Sequence, residues 1–372
     1  MSERLLSEIE QISQDFVASR VLISNSDLPL AQTDRLREDR AMRSKRFLVT
    51  CFTVIALAPA ASAQTAWKMP RLADGRPDLQ GVWENNSATP LERPKEFAGK
   101  PRLTDAEVQQ LKQRAATIFG PESDAVFGDA LYLALLDETR PRRPSSTGSY
   151  SSNWLPERVF EARTSLIESP ADGRLPPLTP EALRLSGSRS AGTPNNPASA
   201  RELNLKDRCI SYGVPDLWAA HMSFYRIVQT TETVAIQMER IHDVRIIPLD
   251  GRSKLSAVHR RYLGEPRGHW EGDTLVVETV NFHPDGNYLG GLLNQADHNM
   301  KLTERLTLQS ADTLRYEFTV DDPTVWTSPW TGAIYWRRAK SEMYEYACHE
   351  GNYSLRGILS GARAAEGDRT DK

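Results

Sequence analysis

Apolar and polar residues alternate from Met222 onward in short runs, and no other feature of the chain restricts its fold as tightly. The alternation predicts strands at Met222–Gln229, Thr233–Glu239, Val244–Pro248, Thr274–Val280, Leu302–Leu308, Thr313–Val320, Ala333–Arg338 and Met343–Cys348. Most connections are brief turns, among them Glu271-Gly272-Asp273, Ser310-Ala311-Asp312 and Asp321-Asp322-Pro323. Parallel pairing needs long crossovers, so strands joined this way run antiparallel. A meander of this length leaves two open edges, and closing it into a barrel removes them. The expected fold is therefore mainly β, an antiparallel up-and-down barrel over residues 207–360 followed by a flexible tail at 361–372.

Residues 64–206 have a different grammar, with short elements separated by Pro, Ser and Arg, and read as a helical and irregular appendage. Thr104-Asp105-Ala106-Glu107 is a capping box ahead of Val108, Leu111, Ala115 and Ile118, with Gly120 at the expected C-terminal cap. A second helix is expected over Ala125–Asp137, a short strand at Thr164–Glu168, and a short helix after Thr179, where Pro180 takes the first helical position. Residues 140–153 and 193–197 read as exposed loops. Asp-Gly-Arg recurs at Asp74, Asp172 and Asp250, each time as a turn signal.

Upstream of this lies Met42-Arg43-Ser44-Lys45-Arg46, then an apolar run from Phe47 to Ala60, then Ala61-Ser62-Ala63. A basic start, an apolar middle and a small-residue cleavage site make residues 42–63 a secretory signal peptide. Residues 1–41 are then an upstream extension, translation starting at Met42. The apolar run is shorter than the roughly 20 residues a spanning helix needs. No later segment is apolar enough to span a bilayer, so after signal cleavage no membrane span is expected, and the mature protein belongs in the periplasm or outside the cell. Removing residues 1–63 from a chain of 372 leaves 309, enough for one large β domain with an appendage. Cys51 leaves with the signal, so Cys209 and Cys348 remain as an even pair, expected to form a disulfide across the ends of the barrel. A net charge of −3 gives no reason to expect nucleic acid as a partner.

Five stretches carry a resemblance: Pro77 to Trp83 (PDLQGVW), Ile246 to Arg252 (IIPLDGR), Gly268 to Val277 (GHWEGDTLVV), Asp312 to Phe318 (DTLRYEF) and Tyr344 to Tyr353 (YEYACHEGNY). They resemble an uncharacterised family of exported bacterial proteins across about residues 70–359, and the family brings no established activity. Its pattern has a histidine three residues ahead of Glu304-Arg305, where this chain has Lys301. Gly81-Val82-Trp83 also resembles the Gly-x-Trp opening of lipocalin-type barrels, which implies a lipocalin-like, calycin-type architecture.

Alternation sorts barrel side chains into lumen and exterior. Leu314, Tyr316, Phe318 and Val320 share an inner row, and Glu304 falls on an apolar row with Leu302, Leu306 and Leu308. A carboxylate there must be paired, protonated or functional, because burying a lone charge is costly. Glu278 lies in the same relation to Val276 and Val280, although Leu275 and Val277 make the opposite direction equally readable. Trp330, Gly332, Ile334 and Trp336 form another inner row, whose tryptophans could stack on a flat ligand or simply fill the core. All seven histidines fall between residues 221 and 349; His349 with Glu345, and His242 with Glu239, are the candidate acid–base neighbours.

No His-x-His, His-x3-His or Cys-x2-Cys pattern, phosphate-binding glycine loop or serine nucleophile elbow occurs, and neither metal nor cofactor is expected. Two functions remain in view, with a surface interaction protein that holds no lumen ligand as a third. The first is an exported barrel holding a small hydrophobic or aromatic molecule, with Trp330, Trp336, Tyr316, Asn281, Glu239 and His242 as lining residues. The alternative is a cofactor-free lyase, isomerase or hydrolase using Glu304, Glu278, His349 and Glu345 as acid–base groups. Oligomeric state is not legible in the residues.

Overall fold

The computed structural model describes residues 67–119, 129–137, 157–186, 197–217, 219, 222–284 and 299–370. All of them belong to one compact unit, Gln64–Lys372. The expected signal peptide, Gly120 and His221 and His298 lie outside the described residues.

Ten strands are described: β1 (Gly81–Glu84), β2 (Ile167–Ser169), β3 (Phe224–Gln229), β4 (Thr233–Met238), β5 (Val244–Pro248), β6 (Glu265–Glu271), β7 (Thr274–Val280), β8 (Lys301–Ser310), β9 (Thr313–Asp321) and β10 (Trp330–Arg338). Every ladder is antiparallel, and the order is β5-β4-β3-β1-β10-β9-β8-β7-β6, with β2 added against β10. β5 and β6, the two ends of that order, lie side by side without a shared ladder. A Cβ on Gly268 of β6 would come within 2.8 Å of Ile247 on β5 and within 2.6 Å of Leu249, so a bare backbone is what lets the last seam draw together. The result is a nearly closed, nine-stranded antiparallel barrel, consistent with a lipocalin-like architecture.

The alternation that predicts the strands is visible in their burial. Along β9 every second residue is buried, and β8 repeats the pattern one strand away. The inner rows meet in one core around Trp83, Tyr225, Phe318, Trp330 and Ile334, each almost wholly excluded from solvent. As in other small barrels, the interior is filled by side chains.

Two expectations about the barrel's ends are corrected. Met343–Cys348 is not a strand. Residues 340–352 form a strap without ladder bonds, closed over one end of the barrel by the Cys209–Cys348 disulfide, whose sulfurs are 2.01 Å apart. The missing strand is replaced by β1, taken from the region read as an appendage, which bridges β3 and β10. Trp83 anchors it: the indole Nε1 donates to Leu79 O at 2.9 Å and the Arg338 guanidinium lies 4.3 Å above the ring.

Four helices are described: α1 (Asp105–Ile118), α2 (Asp129–Leu136), α3 (Pro180–Ser186) and α4 (Tyr353–Thr370). The capping box forms, with Thr104 accepting from Glu107 N while Glu107 reaches back to Thr104 N. Thr179 caps α3 by accepting from Ala182 N at 3.1 Å. α4 occupies the place of the expected flexible tail, started by Asn352, whose Oδ1 accepts from Leu355 N at 3.2 Å. α1 and α2 carry a small second core of Leu103, Val108, Leu111, Ile118, Tyr132 and Leu135. The three Asp-Gly-Arg turns share one geometry: the aspartate accepts from the arginine backbone N–H at 3.0 to 3.2 Å while the glycine sits at positive φ.

Candidate functional site

A continuous strip of buried polar and aromatic side chains runs through the barrel interior. At one end β5 turns Arg245 inward and β8 turns Glu304 to meet it. Arg245 Nη1 donates to Glu304 Oε1 at 2.7 Å, Nη2 bonds the other carboxylate oxygen, and Nη2 also reaches Thr279 Oγ1 at 3.1 Å. Tyr316 OH donates to Glu304 Oε1 at 2.7 Å. The Tyr316 ring stacks on Trp336 at 4.5 Å, and Tyr225 stacks on the indole's other face at 4.2 Å and 5°. Tyr225 OH then donates to Asp216 Oδ2 at 3.1 Å, Asp216 is ion-paired to buried Arg240, and Arg240 lies 4.4 Å over the Tyr212 ring.

The electrostatics follow from that geometry. Burial, reinforced by the neighbouring Glu304 and Asp216 charges, raises the Tyr316 and Tyr225 hydroxyls well above the phenol range, so both remain hydrogen-bond donors. Burial pulls Arg245 and Arg240 down, but their carboxylate partners outweigh it and leave both raised. Two buried donors of the strip, Arg245 Nε and Trp336 Nε1, have no partner among the described residues. A buried donor left unmatched costs about 1–3 kcal/mol.

The strap covers the Arg240 end. Tyr344 N donates to Glu239 Oε1 at 3.3 Å, Glu345 lies 3.5 Å from His242 Nε2, and Tyr346 hydrogen-bonds Tyr212. Asp243 sits beneath, bound by Ser211 Oγ at 2.8 Å, with its carboxyl lifted by burial to about 6.

The residues singled out from sequence divide accordingly. Glu304, Tyr316 and Trp336 meet in the strip. Glu239 and His242 both touch the strap, Glu239 through Tyr344 N and His242 through Glu345, and no side-chain hydrogen bond joins the two to each other. Glu345's imidazole neighbour is thus His242, while His349 stands exposed in the turn beyond. Glu278 points outward from β7, 44% exposed and 3.5 Å from Lys254, because Leu275, Val277 and Thr279 take the inner row. Asn281 binds its own chain, its amide donating to Glu265 Oε2 at 2.7 Å and to Leu255 O at 3.2 Å. Trp330 packs edge-on against Phe318 and Trp326, both at 5.7 Å, away from the stacked rings.

Arg245, Arg240, Asp216, Tyr225 and Tyr212 escape the sequence pattern. On β5 the alternation is inverted: Val244 and Ile246 face solvent and Arg245 faces the core, so hydrophobicity points the wrong way. Among the described residues no group of three or more His, Cys, Asp or Glu could hold a metal ion, and no helix is long and apolar enough to cross a membrane. Comparison with protein-family models, with curated proteins and with solved structures finds no match for this chain.

Proposed function

We propose that this is an exported binding protein whose barrel takes up a small, planar aromatic molecule against Trp336. The observation that carries this is the strip itself: three stacked rings between two buried ion pairs, with donors on Trp336 and Arg245 that have no partner among the described residues. Replacing buried ion pairs with apolar residues is often neutral or stabilising, so stability alone gives little reason to keep two of them in one core. A flat ligand bearing a carbonyl or similar acceptor would stack on the indole in place of a tyrosine and satisfy the Trp336 and Arg245 donors.

The interior is closed over its own side chains, so the ligand enters at the strap, where Glu239, His242 and Glu345 hold residues 340–352 by a few polar contacts. The disulfide and the signal-like segment at residues 42–63 both suit an oxidising, exported setting. Binding is favoured over acid–base catalysis because three donors occupy the Glu304 carboxylate and Glu278 lies on the outer face. Native mass spectrometry of the protein recovered from exporting cells tests the proposal. A bound small molecule with aromatic absorbance is expected, and a uniformly ligand-free mass that persists after incubation with aromatic compounds would count against it.

A further inference from the structure

Outside the strip, Arg158 is a half-buried cation without a counter-ion among the described residues. Residues 85–89 leave β1 and run beside Glu157–Val159: Val159 N donates to Asn86 O and Ala88 N donates to Val159 O, both at 2.9 Å. Arg158 projects from this pairing, and its Nη1 is held by two backbone carbonyls, Ser87 O at 3.3 Å and Ala219 O. Its other edge is bare. Nε and Nη2 are both out of contact with solvent and have no hydrogen-bond partner among the described residues.

That edge is the side of a guanidinium that binds a carboxylate through two parallel N–H···O bonds. An uncompensated buried charge is expensive, and here burial alone lowers the arginine's pKa to about 10, with no acidic neighbour among the described residues opposing it. Three other buried arginines are engaged: Arg240 pairs with Asp216, Arg245 pairs with Glu304, and Arg93 donates to Thr164 Oγ1 and to the Ala171 and Asp172 carbonyls. The same segment carries two further buried polar atoms without partners among the described residues, Asn86 Oδ1 and Thr89 Oγ1. Carbonyls hold Nη1 in place, while the N–H groups of Nε and Nη2 have no acceptor among the described residues.

We propose that the Nε–Nη2 edge of Arg158 binds the carboxylate of a small polar organic acid. A single carboxylate balances the one charge that the site supplies, whereas a phosphate dianion would leave an excess negative charge. The orphaned Asn86 and Thr89 oxygens suit a hydroxyl or amino group on the acid. This site involves none of the residues of the aromatic strip, so it stands or falls separately from the function proposed above.

The test is to titrate the protein with formate, acetate and glycolate, using acetamide as the neutral control, and to follow the Arg158 side-chain Nε–Hε resonance, assigned by its loss in R158K. Formate and acetate are small enough to enter any space a carboxylate could occupy. The expected result is a saturable downfield shift with the three acids, none with acetamide, and at least tenfold tighter binding of glycolate than of acetate if the neighbouring oxygens take part. Binding of glycolate measured by calorimetry should weaken by at least tenfold in R158K, which keeps the charge but loses the fork. An Nε–Hε resonance unmoved by all three acids would overturn the proposal, as would equal glycolate affinity in the wild type and R158K. If R158K does not fold, the resonance is assigned by through-bond correlation to the Arg158 backbone, and the wild-type titration then decides.

Discussion

Replacing Glu304 by glutamine isolates the Arg245–Glu304 pair with little change in shape. The new side-chain amide keeps an oxygen for Tyr316 and Arg245, so the loss is the negative charge, and Arg245 is left as an uncompensated cation with 4% of its side chain exposed. Breaking a buried pair from one side costs about 3–5 kcal/mol. For a domain of this size each kcal/mol moves Tm by about 2–4 °C, so the expected loss is roughly 6–20 °C. Removing both charges in an R245M/E304L variant takes away the desolvation cost together with the attraction. What remains is mainly the orphaned Tyr316 hydroxyl, about 1–3 kcal/mol. Urea unfolding of the chain Gln64–Lys372, followed by fluorescence and by near-ultraviolet circular dichroism, measures E304Q, the double variant and its two single components against the wild type. The double variant is expected to be more stable than E304Q. Destabilisation of the double variant equal to the sum of R245M and E304L measured singly would refute the coupled buried pair.

Other perturbations read different parts of the same structure. Gly332→Ala places a Cβ 2.6 Å from the Phe318 ring and 3.2 Å from Leu166 O, and a loss of about 1–3 kcal/mol is expected in the same denaturant assay. Replacing Cys209 and Cys348 by serine opens a loop of 139 residues and is expected to cost about 2–5 kcal/mol, with earlier proteolysis in the strap than in the strands, read by mass spectrometry of a limited digest. Burial raises Asp243 from 3.8 to about 6, so between those values the folded state keeps a proton that the unfolded state has released. The stability this group contributes is full below about pH 4 and is lost as pH rises to 6. Asp243→Asn should therefore flatten that part of the wild-type profile and be the more stable protein at pH 7, by on the order of 1 kcal/mol after allowance for solvent screening.

The barrel is legible in the sequence because most of its strands obey a period of two with one wet face. Val244–Pro248 and Thr274–Val280 are predicted to the residue, and β8, β9 and β10 are longer than expected only at their ends. β6 is hidden because Glu265-Pro266-Arg267-Gly268 carries a proline and a glycine where a strand normally has side chains, and its inner face is a bare backbone at the barrel seam. β1 has only four residues and is separated from its partners by more than a hundred, a distance over which local pattern carries no pairing information. α4 follows a helical signal, the Asn352 cap ahead of Leu355, Ile358, Leu359 and Ala362, that the β pattern upstream overshadows.

The site is legible only from its apolar side. Glu304 among leucines is conspicuous in sequence, but its partner Arg245 sits in a run whose exposed valine and isoleucine point the pattern outward. Asp216 and Arg158 lie in irregular segments and Arg240 in a one-turn 3-10 helix, none with any periodicity, and their meaning comes from long-range contacts that only the folded chain supplies.

The central claim is that Trp336 is the platform for an aromatic ligand. Thermal shift of the wild type and of W336L across a library of planar aromatic compounds, each with a saturated analogue of the same size, tests it most directly. The expected result is one or more planar compounds that raise the wild-type Tm saturably, have no effect through their saturated analogues, and lose at least tenfold in affinity in W336L. If no planar compound shifts the wild type, or if W336L responds as the wild type does, the barrel's aromatic strip is core packing and nothing more.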